Sequence, residues 1–250
     1  MRFSSLLIVT LLSVFPALSH SKTIKIAAID WCPQICPNQK KPGYVIDLVS
    51  KAFSESGYQL EIDYFPWSRA IKYVLSGQYH ALLSPAKAEA PQLRYPKYAV
   101  GKQEMCFFTS IDSDWQYKGT LSLDQKHIGI AIDTSIEELN DYVENHPEQF
   151  QFQPYHERYI VQNAQKIEKG RIDAFLFTYN STRYELSNNN MWHKYRSAGC
   201  VSSADIYMAF TPNPALYDEV NTMMQVFEQR MAAIDYQQEI EQLLVKYQLK

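Results

Sequence analysis

The sequence predicts an α/β protein built as two similar lobes with a cleft between them. The first observation behind this is a pattern that occurs twice. Val74-Leu75-Ser76-Gly77-Gln78-Tyr79-His80-Ala81-Leu82-Leu83-Ser84 matches Ile167-Glu168-Lys169-Gly170-Arg171-Ile172-Asp173-Ala174-Phe175-Leu176-Phe177-Thr178. Each reads as a helix end, a Gly that closes it cheaply, a polar pair and an apolar strand ending in a hydroxyl. The second is the alternation of strand and helix patterns in each half, which implies parallel pairing. The third is that the chain crosses between the halves twice, without a long linker or a low-complexity segment. Two crossings make a hinge, and clefts between lobes are where small ligands bind.

The elements follow in order. Residues 23–29 alternate as a first strand, ended by Asp30-Trp31-Cys32-Pro33. Residues 44–56 predict a helix with Val45, Leu48, Val49, Ala52 and Phe53 on one face, stopped by Gly57. Residues 59–64 are a second strand. A turn at Phe65-Pro66-Trp67 leads into a helix for which Ser68 is the candidate N-cap. The third strand is 81–83, followed by a loop carrying Pro85, Pro91 and Pro96. A strand at 104–109 leaves the first lobe. In the second lobe the pattern gives strands at 128–132, 150–153 and 174–177, and helices at 135–145 and 158–169. The chain turns back over 197–203 and continues as a strand at 205–210. Amphipathic helices at 214–233 and 236–247 close the chain. The domain boundaries expected are 1–21 for a signal peptide, 22–108 and 204–250 for the first lobe, and 109–203 for the second.

Residues 1–21 have the form of a secretory signal. Arg2 supplies the positive start, 3–15 are mostly apolar, Pro16 breaks the run, and small residues follow. The run is shorter than the roughly 20 apolar residues of a membrane span. A periplasmic location without membrane insertion after cleavage is therefore expected. Cleavage removes one charge, Arg2, and takes the net charge from -3 to -4. No basic stripe accompanies this mild acidity, which argues against nucleic acid as a partner. With 18 Tyr, 12 Phe and 4 Trp, any cleft is expected to have aromatic walls.

Four cysteines, Cys32, Cys36, Cys106 and Cys200, in an exported chain favour disulfides over a metal site. Three connectivities are open. Cys32–Cys36 with Cys106–Cys200 is favoured, because the first pair is local and each member of the second lies near a crossover. The Cys-x-x-x-Cys spacing has no second close pair to complete a zinc site, and no metal or other cofactor is expected.

Ligands of open α/β sheets sit beyond the carboxyl ends of the strands. That rule selects Asp30, Trp31, Trp67, Ser84, Pro85, Ala86 and Lys87 from the first lobe. From the second it selects Asp133, Thr134, Ser135, Thr178, Tyr179 and Asn180. Ser135 and Glu138 fit a capping box, whose free amides could hold an anionic group, although Asp133 beside them would repel it. Trp31 and Trp67 could stack on a planar or apolar ligand, or simply pack in the core. Arg69, Lys87 and Arg94 could meet a carboxylate, or serve only solubility. The nucleophile-elbow, zincin and dinucleotide motifs do not occur, and no two His stand at metal-ligand spacing. Asp30 and Asp133 could do acid–base work only if they converge.

Gly43-Tyr44-Val45-Ile46-Asp47-Leu48, Phe65-Pro66-Trp67-Ser68-Arg69-Ala70, Ser76 to Ala81, Ile128-Gly129-Ile130 and Gly170 to Ala174 stand in the order and spacing of one family. They resemble extracellular solute-binding proteins of family 3, the receptors of polar amino acid ABC importers. The resemblance covers nearly the whole mature chain. It implies a periplasmic-binding-protein type II fold, two α/β lobes joined by a two-strand hinge. Amino-acid-binding members of that family grip the ligand carboxylate with an Arg in the loop after the third strand, a place taken here by Ala90-Pro91-Gln92. Their Asp for the ligand amine falls at Thr178. A buried charge left without its partner costs roughly 3–5 kcal/mol. The ligand implied is therefore a less charged, aromatic-compatible or peptide-like solute rather than an ordinary α-amino acid.

The function expected is capture of a small solute by a monomer and its delivery to a membrane permease, without catalysis. Two alternatives share the scaffold. One is an exported enzyme of the cyclohexadienyl dehydratase type, and the other is a solute-sensing partner of a membrane signalling receptor.

Overall fold

The computed structural model describes residues 22–37, 40–132 and 136–249. The expected signal peptide and the Asp133-Thr134-Ser135 turn lie outside the described residues. Among the described residues, no helix is long and apolar enough to cross a membrane.

The first half is organised around β1 (Lys22–Ala28), which pairs in parallel with β2 (Tyr58–Tyr64) and β3 (Ala81–Ala86). β1 is covered on one face by α1 (Tyr44–Phe53), which buries Tyr44, Val45, Ile46, Leu48, Val49, Ala52 and Phe53. That stripe follows the helical period. α2 (Trp67–Leu75) buries only Ala70 and Val74. Ser68 is not its N-cap: Pro66 holds that position at φ -55°, and no side chain caps the helix. The ring of Pro66 fixes the backbone for helix entry and starts the helix earlier than the hydroxyl would. Gly77 and Gly170 both take left-handed φ values, +81° and +62°, so both predicted helix stops occur.

The second half repeats the arrangement. β5 (Ile128–Ala131) lies between β6 (Phe150–Gln153) and β7 (Ala174–Thr178), parallel to both. The helix expected over 135–145 is shorter: a 3-10 turn at Glu137–Leu139 precedes α3 (Asn140–Asn145). α4 (Tyr159–Glu168) follows β6. α5 (Tyr179–Asn188), directly after β7, was not predicted. It buries Ser181 and Thr182 alongside Leu186, so it carries no apolar stripe for sequence periodicity to detect.

Two antiparallel strands, β4 (Gly101–Ser110) and β8 (Tyr195–Phe210), join the halves. The turn expected over 197–203 does not exist; β8 runs unbroken through it. Its serines and Gly199 imitate a loop, and bulges at Val201 and Ala198 of β8, the residues skipped in the register with β4, absorb the irregularity. The full order is β2-β1-β3-β8-β4-β7-β5-β6, an eight-stranded sheet among the described residues. Both favoured disulfides, Cys32–Cys36 and Cys106–Cys200, are formed, the second between register partners on β4 and β8.

The cores are separate. One gathers Ile24, Ile26, Leu48, Phe53 and Met208 with Met223, Phe227 and Tyr247 of the chain's last segment. Others gather Phe107, Ile128, Ile130 and Leu176, and Phe108, Tyr159, Phe175 and Phe177. The final helices α6 (Tyr217–Ala233) and α7 (Tyr236–Lys246) therefore pack on the first half. α6 starts after a 3-10 turn at Pro214–Leu216.

Candidate functional site

A cavity of about 610 Å³ opens where strands of both halves end. It falls within the size range of small-molecule sites. β1 delivers Ile29, Asp30 and Trp31; β2 delivers Tyr64, with Phe65, Pro66 and Trp67 following; β3 delivers Ser84, and the next loop Glu89. β4 contributes Gln103 and Met105. The second half supplies Ile132 after β5, Pro154 to Glu157 after β6, and Phe177 and Thr178 at the end of β7. This is the carboxyl-end rule met from two sides at once.

Trp31 is held by a tight turn. Its N–H donates to the Ile35 carbonyl at 2.9 Å, its own carbonyl accepts from Gln34 and Ile35, and the Cys32–Cys36 disulfide closes the loop. Its indole N–H donates to the Thr178 hydroxyl at 3.2 Å, and the Gln34 amide donates to Ser181 at 3.2 Å. These buried bonds tie the halves together beside the cavity. Tyr155 stacks on Phe177 with centroids 5.0 Å apart. Phe65 meets Tyr73 and Tyr79 edge-on. The walls are thus rings supported by other rings.

Ser84 is unusual. It is only 3 % exposed, lies at a register shift between Leu83 and Ala86, and has φ +67°. A side chain rarely adopts that conformation, and bulges re-aim residues beside functional sites. Its hydroxyl has no hydrogen-bond partner among the described residues.

The electrostatics are one-sided. Asp30, Glu89 and Glu157 line the cavity with His156, and no Lys or Arg occurs among the described lining residues. Glu89 is oriented by the Ala86 N–H at 2.7 Å and by the Gln103 amide. Burial, and then the Glu157 carboxylate, push the Asp30 carboxyl above its usual range. Burial also raises Glu185, and Glu157 and Asp30 add to this against an opposing hydrogen bond from Asn189. The phenols of Tyr64 and Tyr155 are raised by burial first and by Asp30 second. Among the described residues, no group of three or more His, Cys, Asp or Glu could hold a metal ion.

Of the residues predicted from sequence, Asp30, Trp31, Trp67, Ser84 and Thr178 line this cavity. Pro85 and Ala86 are buried in β3 and do not line it. The Lys87 ammonium sits 4.9 Å from the centroid of the Tyr207 ring. Arg94 bonds Asn221 and lies over Tyr217, away from the cavity, and Arg69 is exposed on α2. Tyr179 opens α5 and, with Thr178 and Asn180, borders a smaller hollow of about 200 Å³ beside Gln34 and Lys102. Sequence reasoning missed Tyr64, Glu89, Tyr155, Glu157 and Phe177. The strand-end rule, applied also to β2 and β6, would have found Tyr64, Tyr155 and Glu157.

The raised Asp30 pKa gives a stability prediction. A carboxyl whose native pKa exceeds its unfolded value stabilises the fold below the unfolded pKa, and that contribution is lost as pH rises through the native one. At pH 7 an ionised Asp30 therefore weakens the empty protein. Asp30→Asn should raise its melting temperature there by about 1–2 °C, a small gain because water screens the exposed side of Asp30. The gain should vanish below about pH 4, where the carboxyl is protonated in both states. Thermal melts across that range measure it.

No protein-family model matches the sequence, and no curated relative matches it. Solved structures match its fold. A histidine kinase sensor domain with similarity to periplasmic binding proteins aligns at TM-score 0.70 and 16 % identity, covering 92 % of this chain and 97 % of its own. GshT of Streptococcus mutans, described in glutathione import with a cystine ABC importer, aligns at 0.69 and 16 % identity, covering 91 % and 95 %. A mutant of ArgBP from T. maritima aligns at 0.67 and 14 % identity, covering 91 % and 96 %. The chain thus has a mixed α/β fold similar to periplasmic-binding-protein type II structures. Other matched structures include a probable amino-acid ABC transporter extracellular-binding protein from Bacillus subtilis and a putative L-cystine ABC transporter from Listeria monocytogenes, and the likeness is one of fold.

Proposed function

We propose that this protein is an exported solute receptor: it traps one small molecule between lobes 22–108 plus 204–250 and 109–203, and hands it to an ABC permease. The observation that carries this reading is a single cavity walled by both halves, with Asp30, Trp31 and Trp67 on one side and Tyr155, Glu157 and Phe177 on the other. A ligand touching both halves favours their closed arrangement over an open one. β4 and β8, the two strands shared by the halves, are the natural hinge. The binding residues proposed are the cavity-lining ones.

The test is native mass spectrometry of the protein purified from its source. A small molecule released on denaturation supports capture. Passage of that molecule into cells only when the protein and a permease are both present supports delivery. The sensor-domain neighbour favours a second reading, in which the closed form docks on a signalling receptor. A pull-down with the closed protein that recovers a kinase instead of a permease would select it. Incubation that changes the mass of the bound molecule would instead reveal an enzyme.

A further inference from the structure

We propose that the cavity takes an organic cation without a carboxylate, an amine or guanidinium head on an apolar or aromatic body. This rests on the solute-receptor reading above and narrows its ligand class.

Charge decides the sign. Asp30, Glu89 and Glu157 converge on one cavity from three separate segments, with no Lys or Arg among the described lining residues. An anion would meet three carboxylates. A neutral solute would leave the repulsion between Asp30 and Glu157 in place inside a drier, closed site, where it grows. A cation removes it. The rings of Trp31, Tyr64, Trp67 and Tyr155 present further attraction, because aromatic faces draw cations, most strongly for Trp.

The polar inventory argues against the zwitterion of an amino acid. Its carboxylate would need a cationic partner, and no Lys or Arg occurs among the described lining residues. The Trp31 indole N–H is already given to Thr178, and the Gln103 amide to Glu89. The Ser84 hydroxyl, 97 % buried and without a partner among the described residues, lies on the wall and can accept from an ammonium or guanidinium N–H. A bare metal ion is disfavoured for two reasons. Among the described residues the carboxylates are not grouped as a metal site, and a volume of about 610 Å³ calls for an organic body.

Asp30 adds a pH signature. The groups around it are Glu157, Glu185, Tyr64, Tyr155 and His156. Affinity should be highest where Asp30 and Glu185 are ionised, and it should fall as pH drops through their raised titration.

Calorimetric titration of the natively purified, ligand-stripped protein at pH 7.5 tests this with matched probes. These are agmatine against arginine, phenethylamine against phenylalanine, and 3-phenylpropionate as the anion. The expected result is that at least one amine binds tenfold or more tighter than its amino acid, that 3-phenylpropionate does not bind, and that Asp30→Asn and Glu157→Gln each weaken the amine at least fivefold with melting curves intact. An amino acid or 3-phenylpropionate binding as tightly as the amines overturns the cation inference and leaves solute capture standing. If no probe binds, the molecule released from native protein decides. A carboxylate-free cation supports the inference. A different molecule overturns the inference alone, and no molecule at all overturns it together with the receptor reading.

Discussion

Trp31→Ala is expected to weaken solute binding by about 30-fold, roughly 2 kcal/mol, as expected for a central ring that faces a cation or stacks on an apolar body. The same substitution should cost about 3–5 kcal/mol of stability, since Trp31 is only 5 % exposed and its removal leaves a cavity. It also removes the indole bond that joins Thr178 across the halves. Trp31→Phe separates these effects. The ring remains, while the Thr178 hydroxyl loses its donor at a cost of about 1 kcal/mol. Binding should then fall far less than in the alanine variant. Denaturant melts with calorimetry read both quantities. Equal losses in the two variants would show that the hydrogen bond, not the ring, matters.

Gly43→Ala should lower stability by about 3–4 kcal/mol, a melting shift of roughly 10 °C. Gly43 has φ +114°, and an added Cβ would lie 2.2 Å from the Gln34 carbonyl oxygen and 2.7 Å from the Ile35 Cα. Those atoms are backbone and cannot swing aside. They belong to the turn that positions Trp31, so the clash travels directly to the cavity. Gly43 also donates its N–H to the Tyr247 hydroxyl, which donates in turn to Asp47. This junction ties the end of the chain to the start of α1, and it should loosen as well. Wild-type melting behaviour in this variant would mean that the turn is softer than its geometry shows.

Much of the architecture was legible because it depends on local rules. The apolar stripe of α1, the stops at Gly77 and Gly170, and the fully buried runs of β3 and β7 each announce themselves within a few residues. α5 did not, because it buries hydroxyls. β8 did not, because a strand crossing between halves reads as loop where serines and a glycine cluster. The cavity was half legible for a similar reason. Trp31 and Trp67 follow from strand ends, but the charge of the site does not. Asp30 and Glu157 are distant in sequence and meet only through the sheet order, so a chain of net charge -3 can carry an acidic cavity unannounced.

The physical core of this account is one solute held from two sides. Titrating wild type, Trp67→Ala and Tyr155→Ala with the tightest-binding probe tests it most directly, because the two rings come from opposite halves of the same cavity. Each variant is expected to lose about tenfold in affinity while melting cooperatively. Undiminished binding in either one would place the solute on a single half and contradict the clamp.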